Sequence, residues 1–118
     1  MTPARARITE HLAEKVLGWK STGSHLYPRL RYEDANGRFM RPCQGFDPLG
    51  EPDEAALVME AWRQGEHTLT IGLDNASHKY TAIADYGEPN AGVGGPSESW
   101  TEAACEAIAR ASGWKEGE

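Results

Sequence analysis

Three side chains, His67, His78 and Asp85, are of the types that proton transfer and metal binding require. They belong to a stretch that alternates apolar and polar residues around a turn, as is typical of a β-hairpin. In this hairpin we expect both imidazoles near the open end, within reach of the carboxylate. Two histidines and a carboxylate can transfer a proton or hold a metal ion. Solvated strand-end histidines are the simpler interpretation, so a small hydrolase using these three residues is kept as an alternative.

A second group of candidate residues is basic and lies within residues 19–46. Five Lys and Arg residues oppose two acidic residues there, whereas the whole chain has a net charge of −6. Asn36-Gly37 predicts a hairpin, because both residues tolerate a positive φ. A two-residue turn would place Tyr32 opposite Arg41, which allows a cation–π contact. The predicted binding residues for an anion or an acidic patch are Arg29, Arg31, Tyr32, Arg38 and Arg41. The alternative is that these arginines only solvate an edge ribbon.

Gly92, Gly94 and Gly95 lie in a stretch rich in Gly and Pro, residues 87–99, just before a segment with helical periodicity. The stretch is predicted to be a loop. Backbone N–H groups in such a loop, next to a helix N-terminus, can bind a phosphate or a carboxylate. No lysine follows at P-loop spacing, so a flexible linker is the simpler interpretation. The three glycines complete the set of predicted binding residues.

Four tryptophans are a high number for a chain with 39% hydrophobic residues. Trp62 and Trp100 fall on helix faces and are expected in the core. Trp19 and Trp114 each come directly after a helix end, and we expect them to be partly exposed. Because aromatic anchors are enriched in protein interfaces, these two are candidate interface residues. Packing in the core or against the helix end is the simpler interpretation.

Composition and charge exclude several classes of protein. The net charge of −6 argues against nucleic-acid binding, which depends on many contacts from Lys and Arg to phosphate. No apolar run approaches the roughly 18 residues of a membrane span, and no secretory signal is visible. Cys43 and Cys105 lie outside any Cys-x-x-Cys pair or zinc-ligand spacing. We therefore expect free thiols and no metal ion or other cofactor.

The helices and strands that must position these residues are predicted from the sequence pattern, and together they indicate one α+β domain over residues 1–118. Three amphipathic helices are expected, ending at Gly18, Gly65 and Gly113, and a capping box of Ser99 and Glu102 begins the third. Strands over residues 67–73 and 79–86 predict a two- to three-stranded antiparallel sheet sandwiched by these helices. A small Arg-rich ribbon is expected at residues 26–42.

This order of elements resembles the phage ABA sandwich domain family over roughly residues 8–111. The resemblance depends on the run Ile8-x-x-x-Leu12-x-x-x-Val16-Leu17-Gly18-Trp19-Lys20, on Phe46-Asp47-Pro48, and on a helix bearing Ala and Trp, a hairpin and an Ala-rich helix. The family comprises small phage and prophage proteins, mostly of unassigned function. The resemblance therefore implies a sandwich of helices around a sheet and a viral origin, and it implies no particular chemistry.

Together these features favour a non-enzymatic phage or prophage accessory protein that binds and inhibits, or sequesters, a host defence component. An anti-CRISPR protein would present its acidic surface to a basic groove. A nucleotide sponge would bind its ligand at the arginines and the Gly-rich stretch. The expected partner is a host protein or a small anionic ligand in the host cytoplasm, without membrane binding, and a homo-oligomer is compatible with both. Besides the hydrolase, a structural or assembly protein of the phage particle is an alternative.

Overall fold

The computed structural model describes residues 3–23, 26, 30–85, 87 and 89–115. The described residues form three helices and two three-stranded antiparallel sheets, which confirms the predicted α+β class. The helices are α1 (Pro3–His11), continued by a π-helical segment (Leu12–Val16), α2 (Pro52–Gln64) and α3 (Trp100–Ala111). The strands are β1 (Lys20–Thr22), β2 (Arg31–Glu33), β3 (Phe39–Pro42), β4 (Leu69–Asp74), β5 (Lys79–Ala84) and β6 (Gly92–Ser97).

The first helix ends at the glycine that the sequence indicates, and the chain then turns back. Gly18 has a φ of +74°, a conformation in which glycine has no Cβ penalty. Trp19 donates its backbone N–H to the carbonyl oxygen of Ala13 at 2.8 Å. Its side chain is buried, only 6% exposed. The expected partial exposure of Trp19 is therefore wrong, and the alternative of packing in the core or against the helix end is confirmed.

The first sheet has the order β1-β2-β3 and contains the predicted Arg-rich ribbon, which ends at Pro42 as expected. The composition of Ser21-Thr22-Gly23-Ser24 by itself indicates a loop, yet Lys20–Thr22 is a strand. That loop assignment is wrong at Ser21 and Thr22, because pairing with β2 outweighs their weak strand propensity. Leu26 and Leu30 lie outside the strands and are exposed.

The turn of the ribbon differs in length from the prediction, yet the predicted cross-strand pair is present. Asp34 donates its N–H to the oxygen of Arg38, so the turn contains three residues, with Gly37 at a φ of +80°. A bulge between Tyr32 and Glu33 offsets the extra residue. Tyr32 therefore pairs with Arg41, as expected for the shorter turn.

The second sheet has the order β4-β5-β6 and packs on α3. The prediction of a loop over residues 87–99 is wrong for Gly92–Ser97, which pairs with β5 as β6. Gly92 and Gly94 explain why this glycine-rich stretch forms a strand. A Cβ on either residue would collide with backbone atoms of α3, at Ala107 for Gly92 and at Ala103 for Gly94. Glycine is therefore needed for the strand to lie directly on the helix.

The core extends from this contact to an aromatic cluster under the first sheet. The α3 helix contacts the second sheet as well as α1 and α2. Trp19, Tyr32 and Phe46 form the cluster, with ring centroids 5.1–5.9 Å apart. The segment after Phe46 is bound to α3 through a side chain of the helix. Thr101 Oγ1 donates a hydrogen bond to the carbonyl oxygen of Leu49 at 2.6 Å. No helix of the described residues is long and apolar enough to cross a membrane.

Candidate functional site

A cleft of about 430 Å³ opens between α2, the start of β4 and the start of α3. Its polar rim consists of Glu60, Arg63 and His67. Its apolar walls consist of Ala56, Met59, Trp62, Leu69 and Trp100. Apolar walls with a few polar groups at the rim are typical of ligand-binding and partner-binding sites. We refer to these eight residues as the tryptophan cleft.

Trp62 joins the end of α2 to the start of the second sheet and so shapes the cleft. Its position on the buried face of α2 follows the helical spacing of Ala55, Val58 and Trp62. The indole Nε1 donates to the carbonyl oxygen of Thr68 at 3.0 Å. The His67 ring stacks on the indole with centroids 3.9 Å apart and an interplanar angle of 14°. The indole therefore fixes the approach of the chain to β4.

His67 is also held by the carboxylate of Asp85. The imidazole Nδ1 lies 3.1 Å from both oxygens of that carboxylate. Asp85 has a φ of +57°, and its backbone N–H donates to the oxygen of Thr68. Its carboxylate accepts a further hydrogen bond from the Thr68 N–H at 3.2 Å. A carboxylate at Nδ1 orients an imidazole in the manner of a general base, so this pair is chemically competent to transfer a proton.

The predicted convergence of three residues is nevertheless wrong, because His78 lies at the opposite end of the hairpin. Asp74 pairs with Lys79, and the His78 N–H donates to the Asp74 oxygen within the connecting turn. His67 precedes β4 at the other end. The full length of a six-residue strand therefore separates the two histidines. Within the described residues, no group of three His, Cys, Asp or Glu side chains could hold a metal ion.

The charged rim of the tryptophan cleft is a solvent-exposed ion pair. Arg63 Nε donates to a Glu60 carboxylate oxygen at 3.0 Å, and the side chains are 71% and 52% exposed respectively. Hydrogen bonding to the guanidinium lowers the pKa of Glu60. Because the pair is open to water, both groups can exchange their partner for a charged group of a ligand.

The arginines predicted to form an anion site do not converge. Arg31 lies 2.8 Å from the Glu33 carboxylate on β2. Arg41 pairs with Tyr32 across the ribbon, on the opposite face from Arg31, and lies 3.7 Å from Glu54 of α2. Arg38 is exposed next to the turn, and Arg29 lies outside the described residues. Binding by this group stays a prediction, and the structure shows two of its members already paired with carboxylates.

The remaining predicted residues have packing roles in the structure. Gly92 and Gly94 are buried against α3, and Gly95 is half-buried with a φ of +88°. Trp114 is only 7% exposed, so its expected partial exposure is wrong and the alternative of packing in the core or at the helix end is confirmed. The cause is a backbone turn, in which the Trp114 N–H donates to the Ala109 oxygen at 2.9 Å, and Arg110 lies over the indole.

The tryptophan cleft itself was not predicted from the sequence. The helical spacing predicts Trp62 and Trp100 in the core, but Trp100 is only partly buried because it lines the cleft. The local signal is the short spacing of Trp62 and His67 around the helix end at Gly65, which brings the two rings together. No family model, curated protein or solved structure matches the chain. Function must therefore be inferred from the cleft and its surroundings.

Proposed function

We propose that the protein is a non-enzymatic accessory protein of a phage or prophage that binds and inhibits a host defence protein through the tryptophan cleft. The observation that supports this most directly is the cleft, whose walls combine the partly exposed side chains of Met59, Leu69 and Trp100 with the buried indole of Trp62 around a volume of about 430 Å³. Such a recess accepts a large apolar side chain and excludes water from it. Aromatic residues around a recess of this kind dominate binding energy in protein interfaces.

The charges around the cleft favour a basic partner. Glu66 and Glu98 are both exposed. Glu66 directly precedes the cleft residue His67 in the chain, and Glu98 lies two residues before the cleft residue Trp100. Among the described residues, these two carboxylates and that of Glu60 on the rim outnumber the one arginine that lines the cleft, Arg63, and the whole chain has a net charge of −6. An acidic surface accelerates association with a basic one and excludes acidic partners. The preferred partner segment is therefore an apolar or aromatic side chain flanked by Lys or Arg.

The phage or prophage origin is proposed from the resemblance of residues 8–111 to the phage ABA sandwich domain family. Two of the features on which the resemblance depends support this proposal, a first helical segment that ends before Gly18 and an Ala-rich last helix. An anti-CRISPR protein acting in the host cytoplasm is the concrete form that we propose. Its acidic surface would occupy a basic groove of the effector.

The rim of the same cleft supports a second candidate, a nucleotide sponge. Arg63 and His67 lie on the rim beside the apolar walls, and the Arg63 side chain is 71% exposed. A planar base would enter between the walls, while a phosphate would replace Glu60 as the partner of Arg63. This candidate requires a single cationic rim group to outweigh an acidic surface, so we place it second.

The test of the proposal compares target-DNA cleavage by purified CRISPR effectors with and without the protein. We expect the wild type to slow cleavage by one effector, and Trp100→Ala to weaken this inhibition by roughly thirtyfold or more, the size typical of a hot spot. Phe39→Ala is the matched control. Phe39 is also aromatic and 54% exposed, but it lies on β3, outside the cleft. This variant should inhibit as well as the wild type.

Unaffected cleavage by every effector would reject the anti-CRISPR form. Calorimetric titration with cyclic nucleotides then tests the sponge, and the absence of heat would reject it. Equal inhibition by Trp100→Ala and wild type would remove the tryptophan cleft from the mechanism while leaving inhibition itself in place. Circular dichroism of each variant confirms that it is folded.

A further inference from the structure

The two edges of the second sheet differ in how they are protected. β6 contains Pro96, which lacks an N–H, and its pairing with β5 is irregular between Tyr80 and Ala82. β4 pairs with β5 over six consecutive residues without a bulge, and it has neither a proline nor a charged residue between Leu69 and Leu73. Prolines, bulges and charges are the usual devices that prevent edge-to-edge pairing. The β4 edge lacks all three over these five residues.

The backbone of β4 presents unpaired groups on this edge. The Thr68 oxygen accepts a hydrogen bond from the Asp85 N–H. Alternation along an antiparallel pair then directs the N–H and C=O groups of Leu69, Ile71 and Leu73 away from β5. No other described strand pairs with β4. Three consecutive odd-numbered residues thus offer both a donor and an acceptor to an added strand.

The side chains of these residues form an incompletely covered apolar row. Leu69, Ile71 and Leu73 lie directly opposite Ala84, Ala82 and Tyr80 on β5, so they share the sheet face that packs on α3. Burial decreases along the row, from half-buried Leu69 and Ile71 to Leu73, which is 49% exposed. A strand added to this edge would extend the row and cover Leu73.

We propose that a second copy of this chain occupies the edge, with the two β4 strands antiparallel about a twofold axis at Ile71. In such a pair, the outward-pointing N–H and C=O groups of one β4 strand must face those of the other, and the apolar rows of the two copies must lie on the same face of the joined sheet. The register centred on Ile71 satisfies both conditions and pairs Leu69 with Leu73 of the partner subunit. Shifting the register by two residues leaves one outward residue of each strand opposite a turn or strand-end residue.

The symmetry of the edge is the reason for choosing a second copy over another partner. The five residues from Leu69 to Leu73 are neutral, so two copies approach there without the repulsion that the net charge of −6 imposes elsewhere. In this register Asp74, the first acidic residue, lies opposite Thr68 of the partner subunit and meets no like charge. Because Leu69 also lines the tryptophan cleft, Leu73 of the partner subunit extends the cleft wall.

Analytical ultracentrifugation across the micromolar range tests this dimer directly, independently of the proposed function. We expect reversible dimerisation of the wild type. Leu73→Lys should raise the dimer Kd by about tenfold or more, because it places a charge in the covered row. Val93→Lys is the matched control, since Val93 is 48% exposed on β6 and has no place in the interface. This variant should dimerise like the wild type.

Amide hydrogen exchange supplies a second readout that does not depend on a substitution. The amides of Leu69, Ile71 and Leu73 should become protected as protein concentration rises and lose protection on dilution, whereas those of Thr70 and Gly72 stay protected throughout. A wild type that remains monomeric over the whole range would overturn the proposal. Equal dimerisation by Leu73→Lys and wild type, or equal weakening by both lysine variants, would also overturn it.

Discussion

At the scale of single residues, the two cysteines show how environment decides reactivity. Cys105 is fully buried in α3, and its thiol donates to the carbonyl oxygen of Pro48 at 3.4 Å. Burial raises the pKa of this thiol to about 12, and the nearby carboxylates of Asp47 and Glu106 add to the shift. Cys43 is half-buried at the end of the ribbon. A thiol that stays protonated is a packing group rather than a nucleophile.

The raised pKa predicts a pH dependence of stability. The Cys105 thiol ionises near pH 9 in the unfolded chain but only near pH 12 in the folded one. Between these values the unfolded state has lost the proton that the folded state retains, so the free energy of unfolding falls as pH rises, by at most about 1.4 kcal/mol per pH unit. Urea unfolding at a series of pH values measures this slope.

Cys105→Ala is the control for that prediction. Lysines and tyrosines titrate in the same range, so the informative quantity is the difference in slope between wild type and variant. The variant should be less stable at pH 7, because a buried sulfur is lost, and should lose less stability above pH 9. Parallel slopes in the two proteins would show that Cys105 does not contribute.

At the scale of secondary-structure elements, the contact of β6 with α3 carries the strictest steric requirement. The helix presents Ala103 and Ala107 to the glycines of the strand, so that two backbones lie in contact. A Cβ on Gly94 would lie 2.6 Å from the Ala107 nitrogen and closer still to the Ala103 carbonyl. Because these atoms belong to a backbone, no side-chain rotation relieves the collision.

Gly94→Ala is therefore expected to lower the free energy of unfolding by at least about 2 kcal/mol, the cost of forcing extra volume into a packed contact. Gly72→Ala is the matched control on β4. Its Cβ would have only the Thr81 oxygen, at 3.9 Å, as a neighbour, and no positive φ opposes it. It should change stability by less than about 1 kcal/mol. Similar losses in both variants would show that strand glycines matter here for reasons other than this contact.

At the scale of the whole molecule, the two sheets are stabilised unequally. The second sheet lies on α3, whereas the first contacts the π-helical segment and the aromatic cluster around Phe46. The strands of the first sheet are three or four residues long, and Phe39 on β3 is 54% exposed. Short, exposed strands open more easily than buried ones. The first sheet should therefore exchange its amide protons faster than the second sheet.

We expect the slowest exchange in β5 and α3 and faster exchange in β1–β3, with protection in β2 greatest at Tyr32, which is 2% exposed. Hydrogen exchange followed by NMR at pH 7 measures this order. Because both sheets are measured in one sample, pH, temperature and protein concentration are the same for all the amides compared. Equal protection in both sheets would show that the molecule opens only as one cooperative unit.

The sequence alone determined the features that depend on near neighbours. The ends of the first and third helices at Gly18 and Gly113 were predictable, because each glycine adopts a positive φ that local backbone energetics favour after a helix. The second helix also ends before Gly65 as predicted, although there the positive φ belongs to Glu66. The cap of α3 was predictable for the same reason, since the Ser99 Oγ accepts the Glu102 N–H. The hairpin of β4 and β5 followed from a periodicity of two.

Only the tertiary structure decided which surfaces meet. The Gly-rich stretch before α3 has the composition of a loop, and it becomes a strand because the alanine face of the helix accepts a backbone without side chains. The tryptophan cleft joins residues of α2, β4 and α3 that are separated in sequence. Likewise, His67 meets Asp85 while His78 is carried to the far end of the hairpin. Such contacts depend on packing between distant segments, whereas periodicity and capping report only on residues within a few positions of one another.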